Sequence, residues 1–185
     1  MSMFGIRLSR VWQRGVLAAL ACLVLTACAS PTPSDYAQEK PRLDLKEYFD
    51  GDIDVYGIFT DRSGKVVRRF TVRIKAYWEG NKGTLEEDFI YSDGETQRRV
   101  WTLIDEGNGR YTGTASDVVG EAEGYVAGNA FQWNYVLRLP VGDTTYDVSF
   151  DDWMFLMNDK VMLNRATMSK FGIRLGEVTL SFYKR

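Results

Sequence analysis

The sequence predicts an all-β domain: an antiparallel meander of about ten strands closing into a β-barrel, with a short N-terminal helix. Three observations carry this. Phe70, Val72, Ile74, Ala76 and Trp78 alternate with Arg69, Thr71, Arg73, Lys75 and Tyr77, and Phe131, Trp133, Tyr135, Leu137 and Leu139 alternate with Gln132, Asn134 and Arg138. Period two gives one apolar and one wetter face, which is strand geometry. Turn chemistry stands between such runs at short intervals: Asp61-Arg62-Ser63-Gly64, Gly80-Asn81-Lys82-Gly83, Asp93-Gly94, Gly107-Asn108-Gly109, Gly128-Asn129, Gly142-Asp143 and Asn158-Asp159. No helical pattern is long enough for the crossover that parallel strands require. Closure removes exposed edges, and about eight to ten strands make a barrel that either holds one small ligand or fills itself with side chains. An open two-sheet sandwich is the alternative.

The chain before the barrel has its own logic. Arg7, Arg10 and Arg14 precede an apolar run from Val16 to Ala27, with no acidic residue among them, which is the order of a secretory signal. The run ends Leu25-Thr26-Ala27-Cys28, a lipobox whose cysteine takes a diacylglyceryl group before the signal is cut. It falls short of the roughly 20 apolar residues that span a bilayer. Residues 1–27 are therefore expected to be a lipoprotein signal peptide, with Cys28 lipidated. Ala29 after it favours an outer-membrane lipoprotein facing the periplasm. Residues 28–42, with Pro31, Pro33 and Pro41, are expected to be a lipidated tether, extended at about 3.1 Å per residue.

Residues 43–185 form the expected barrel domain. Leu43 to Phe49 has helical spacing for about two turns and stops at Asp50-Gly51. Strands beside the two long alternating runs are expected at 53–60, 84–91, 96–104, 110–116, 121–127, 144–150, 161–168 and 177–183.

Composition removes whole classes of function. Cleavage after Ala27 takes three of the 23 Lys+Arg and none of the 25 Asp+Glu, so the mature chain is acidic and gives no reason to expect nucleic acid. Cys22 leaves with the signal and Cys28 is consumed by the lipid, so the domain has no thiol and is held by packing alone. There is no histidine, which excludes Ser-His hydrolases, His-ligated metals and His general bases. No metal, cofactor or catalytic residue is expected.

Several segments together resemble a known family: Phe49-Asp50-Gly51, the run from Gly113 to Gly124, Trp133-Asn134-Tyr135, Phe150-Asp151-Asp152-Trp153-Met154, Asn164-Arg165-Ala166 and Met168-Ser169-Lys170-Phe171-Gly172. In this order they resemble a proteobacterial lipoprotein family designated as domain of unknown function 3833. The resemblance implies a lipocalin-like (calycin-like) barrel. Relatives in that family tend to be encoded beside enzymes that modify membrane fatty acids, which implies a lipid-related role.

Four groups of residues are candidates for function. Trp78, Trp101, Phe131, Trp133, Tyr135 and Phe150 lie on faces that should point inward, where they either line a cavity for an acyl chain or fill the barrel. Asp117, Asp151, Asp152, Asn164, Arg165 and Lys170 form a polar group within the family-like segments. Parity puts Asp151 and Asp152 on opposite faces, which argues against a catalytic carboxylate pair. Gly113, Gly120, Gly124 and Gly128 fit no nucleotide-binding fingerprint and are expected to mark bulges or curvature. Arg68, Arg69, Arg73, Lys75, Arg98 and Arg99 make a basic strip, with Glu86 and Asp88 placed for cross-strand pairing with Arg73 and Lys75.

The expected function is non-catalytic binding of an apolar or amphipathic ligand, such as a fatty acyl chain or membrane lipid, by a protein held to the membrane through Cys28. The alternatives are an accessory lipoprotein docking on an envelope complex, and an enzyme acting on membrane lipids through Asp117 or Asp152.

Overall fold

The computed structural model describes residues 30–185, so the signal peptide and Cys28 lie outside the described residues. Ten strands follow one another: β1 (Gly51–Asp61), β2 (Val66–Glu79), β3 (Lys82–Tyr91), β4 (Thr96–Gly107), β5 (Arg110–Thr114), β6 (Ala122–Ala127), β7 (Ala130–Val141), β8 (Thr144–Leu156), β9 (Val161–Lys170) and β10 (Ile173–Lys184). Each pairs antiparallel with its sequence neighbours, and β1 also pairs with β10, so the sheet is a closed barrel rather than a sandwich. On β2, Phe70, Val72, Ile74 and Ala76 are buried while Thr71, Arg73, Lys75 and Tyr77 are exposed, as the alternation requires.

The two ends of the barrel differ. A four-residue helix, α1 (Leu45–Tyr48), plugs one of them. Asp44 caps it by accepting from the Lys46 and Glu47 backbone N–H groups, and Leu45, Tyr48 and Phe49 are buried. The plug is fastened by long-range bonds from Trp78 Nε1 to the Phe49 carbonyl at 2.9 Å, from Tyr48 Oη to the Lys160 carbonyl at 3.0 Å and from Lys184 Nζ to the Glu47 carbonyl, and by a Lys46–Asp105 ion pair at 2.8 Å. Leu45, Ile53, Val55 and Met162 are the most fully buried large side chains, so this end is solid. The other end, the mouth, carries the β1–β2, β3–β4, β7–β8 and β9–β10 turns. There the loop between β5 and β6 folds in far enough for Val118 to bridge Leu137.

The segment from Thr32 to Arg42, expected as an extended spacer, lies against the barrel at the plugged end. Pro33–Tyr36 form a single 3-10 turn with Pro33 buried. The Tyr36 ring meets Trp153 and Phe155 edge-on at 5.7 and 5.2 Å, and the Leu43 N–H donates to the Gly128 carbonyl at 2.8 Å. The apolar outer patch on β8 explains why it docks instead of staying solvated.

The glycines do not mark bulges. Gly113 and Gly124 sit in regular register on β5 and β6, where a Cβ would come 2.8 Å and 2.5 Å from the Trp133 indole. They are the bed on which Trp133 lies. Gly120 and Gly128 serve turns at positive φ.

Candidate functional site

All six aromatic side chains singled out in the sequence lie on the inner face, and Tyr111 joins them into one chain of rings. Centroid separations run 6.3 Å from Trp78 to Tyr111, 6.0 Å on to Phe131, 5.3 Å to Trp133 and 5.8 Å to Trp101. From Trp101 the chain continues 5.5 Å to Tyr135 and 5.0 Å to Phe150, stacked. They do not all play one part. Trp78 belongs to the plug, and Trp101, Phe131 and Trp133 are buried among neighbours in the barrel's waist.

Burial loosens toward the mouth, where Phe59, Phe89, Tyr135, Leu139, Met168 and Leu180 point inward yet remain only partly buried. Glu87 and Arg99, deeper still, retain 12% and 13% side-chain exposure.

Polar groups converge beneath this apolar collar. Glu87 on β3 stands directly across from Arg99 on β4, with its carboxylate 3.7 Å from the guanidinium. Arg99 is held more closely by Asp117 of the mouth loop, donating from Nε at 3.0 Å and from Nη2 at 2.7 Å. Gln97 extends the network toward the mouth, donating to Asp117 at 3.4 Å and accepting from the Tyr91 hydroxyl at 2.7 Å, and Arg68 lies 3.6 Å over the Tyr91 ring. On the facing wall Asp152 accepts from the Tyr135 hydroxyl at 3.2 Å and from the Asn164 amide. Asp152 and Asn164 are both buried, and the other Asn164 atom, Oδ1, has no hydrogen-bond partner.

Burial dominates the electrostatics. It pushes the Glu87 carboxyl up to about 7 against the pull of Arg99. Asp152 is likewise pushed up to about 7 by burial, opposed by its bonds from Asn164 and Tyr135. Burial and the nearby Asp152 raise the Tyr135 phenol well above its ordinary value, so it stays a neutral donor. Burial works against the charge on Arg99, but Asp117 and Glu87 outweigh it and keep the guanidinium protonated.

The structure thus gathers three of the six polar candidates, Asp117, Asp152 and Asn164, and leaves three outside. Asp151 faces solvent and accepts from Gln132 at 2.7 Å. Arg165 is exposed and pairs with Glu177 across the outer face at 2.8 Å. Lys170 sits at the mouth over the Tyr146 ring. In the basic strip, Arg73 and Lys75 do stand opposite Asp88 and Glu86 on β3. Both acids nevertheless bond Arg98 from the other side, each at 2.7 Å. Arg99, its sequence neighbour, points inward by the same parity that sends Arg98 out.

Glu87 and Gln97 are the site residues that the sequence reading missed, and Arg99, placed there in the solvated basic strip, is the third. Their signal was a charge on the apolar parity: Leu85, Glu87, Phe89, Tyr91 on one strand and Gln97, Arg99, Trp101, Leu103 on the next. The acidic run Glu86-Glu87-Asp88 and the pair Arg98-Arg99 hid it by reading as solvated charge. Among the described residues no group of three or more His, Cys, Asp or Glu is placed to hold a metal ion.

Comparison with known proteins bears on the fold. No curated protein sequence matches this chain. The S-type phycobiliprotein lyase CPES from Guillardia theta superposes with a TM-score of 0.59 at 8% identity, covering 84% of this chain and 98% of the lyase. A DUF3598-family protein of unknown function from Nostoc punctiforme gives 0.46 at 12% identity, covering 85% of this chain and 53% of that one. A de novo designed fluorescence-activating β-barrel gives 0.44 at 11% identity, covering 77% of this chain and 99% of the design. The first of these establishes a calycin-like barrel and, at that identity, nothing about activity. The sequence profile of the family described as protein of unknown function (DUF3833) matches residues 22–184, and the chain belongs to that family.

Proposed function

We propose that this protein binds one apolar or amphipathic small molecule, such as a fatty acyl chain or membrane lipid, in the mouth half of its barrel, and that it does so without catalysis. The observation that carries this is the gradient of burial along the barrel: solid at the α1 plug, and bordered toward the mouth by partly accessible Phe59, Phe89, Leu139, Met168 and Leu180. Of the two acids named for a catalytic role, Asp117 is committed to Arg99, and Asp152 accepts from Tyr135 and Asn164.

The protein is further proposed to be an outer-membrane lipoprotein facing the periplasm, anchored through Cys28, on the strength of the lipobox and the basic, acid-free segment before it. Only Ala29, Ser30 and Pro31 separate Cys28 from Thr32, where docking on the barrel begins. Mass spectrometry of the mature N-terminus is the test, with a diacylated Cys28 peptide expected and an unmodified one, or one continuing from Ala27, refuting the anchor.

The binding proposal is tested by native mass spectrometry and tryptophan fluorescence on the delipidated protein with a panel of fatty acids, alcohols and phospholipids. Binding of about one molecule per chain is expected, abolished by Leu180→Trp or Met168→Trp, which fill the space, while far-UV dichroism is unchanged. Failure of every probe to bind would leave the inward aromatics as core. A second reading, docking on an envelope complex through the outer face, is favoured by a concave outer groove of about 620 Å³ bordered by exposed Tyr56, Ile90 and Leu163. Tyr56→Glu would then abolish a protein contact and leave ligand binding intact.

A further inference from the structure

The polar groups on the inner face of the barrel carry a preference about what would bind beside them. Facing inward are Glu87 from β3, Arg99 and Gln97 from β4, Asp117 from the mouth loop, Tyr135 from β7, Asp152 from β8 and Asn164 from β9. The single guanidinium is already held by Asp117 at hydrogen-bond distance. Its Nε and Nη2 are spent there and its Nη1 faces Glu87 at 3.7 Å, while Glu87 and Asp152, where ionised, repel an anion. Two acceptors of the wall are short of donors. Glu87 makes one loose ion pair and no hydrogen bond, and Asn164 Oδ1 is buried with no partner. An orphaned buried acceptor is destabilising unless something supplies a proton donor.

We infer that the molecule bound in the barrel carries a protonated amine on an apolar body, its N–H donors directed at Asn164 Oδ1 and the Glu87 and Asp152 carboxylates, rather than the carboxylate head of a fatty acid. This rests on the proposal that the mouth half of the barrel is a binding space. Burial raises both carboxyls toward neutral pH, so an ammonium bound against them drives protons off, and binding is linked to proton release. Raising the pH from 6 to 8 ionises both acids while an alkylamine keeps its charge, so affinity rises over that range.

The test is a matched series of dodecylamine, dodecanol and dodecanoate titrated into the delipidated full-length protein. Fluorescence of Trp101 and Trp133 reports occupancy, and calorimetry in two buffers of different ionisation enthalpy reports protons. Dodecylamine is expected to bind at least about tenfold more tightly than dodecanoate, with proton release near pH 7. Its affinity should rise about tenfold between pH 6 and 8. Glu87→Gln should erase about a tenfold share of the amine affinity and leave dodecanol unchanged, while Glu86→Gln on the outer face, as control, changes neither. Tighter binding of dodecanoate or dodecanol, or amine binding without proton release, would overturn the head-group inference and leave the binding proposal standing. If none of the three binds, the binding proposal itself fails.

Discussion

Glu87→Gln is the perturbation whose energetic consequence can be worked most directly from the structure. Burial raises this carboxyl from an ordinary 4.5 to about 7 in the folded protein. A carboxyl whose folded pKa lies above its unfolded value binds more protons when folded, so its effect on stability is most favourable at acid pH. Stability is then lost as pH rises from about 4.5 to about 7 and changes no further once the group is ionised in both states. At about 1.4 kcal/mol per pH unit the full effect is on the order of 3 kcal/mol, of which about 2.5 kcal/mol falls between pH 5 and pH 8. Glutamine has the shape of the protonated acid and no charge to desolvate, and Arg99 keeps both bonds to Asp117. The variant should therefore gain on wild type by about 2.5 kcal/mol between pH 5 and pH 8, roughly 5–10 °C in Tm for a domain of this size. Thermal denaturation of both proteins across pH 4.5–8.5 reads this directly. Equal differences at all pH values, or a variant less stable than wild type at pH 8, would show that attraction to Arg99 outweighs the cost of burying Glu87.

Three further substitutions probe the scaffold. Trp133→Ala removes the indole seated on Gly113 and Gly124 and should cost about 3–5 kcal/mol in urea denaturation, since β5 and β6 have no side chain there to fill the void. Gly128→Ala drives a Cβ into the Tyr36 carbonyl oxygen, backbone against backbone, so the segment from Thr32 must undock; faster tryptic cleavage at Arg42 is the expected result, with about 1–2 kcal/mol lost from the barrel because alanine is strained at φ 56°. Phe171 holds φ 51° in the two-residue β9–β10 turn and is 91% exposed, so Phe171→Asn, which suits that backbone, should raise the urea midpoint at unchanged m by about 0.5–1 kcal/mol of stability.

Much of the fold is legible in the sequence because it depends on signals that need no partner: alternation along Phe70 to Trp78, and turn residues that accept positive φ at Gly94, Gly109 and Gly142. Closure follows from the need to pair β1, whose partner β10 lies at the other end of the chain. What escapes is whatever depends on two segments meeting. The docking of Tyr36 requires an apolar patch formed by Trp153 and Phe155, more than a hundred residues away, so the proline-rich stretch reads as a spacer. Helix α1 is one turn where two are expected, because the chain turns at Phe49 to seat its carbonyl on Trp78.

The site shows the same division more sharply. The inward aromatics are legible because bulk on the apolar parity is itself the signal of a core face. Glu87 and Arg99 obey that parity as strictly as Phe89 and Trp101 do, but a charge beside other charges reads as surface. Burying them is costly, and the cost is not repaid as a stable ion pair, since the closest approach between the two is 3.7 Å and Arg99 is satisfied elsewhere. A core selected for stability alone would carry a leucine at 87, as it does at 85. Retaining a carboxyl there, with Asp152 and an unsatisfied Asn164 oxygen on the facing wall, destabilises the barrel at neutral pH, and on the binding proposal a complementary cation restores what is lost. The pH dependence of stability and the head-group preference are thus two readings of one quantity. A protein in which Glu87→Gln raised Tm at pH 8 without weakening dodecylamine would have its buried acid for some reason other than binding.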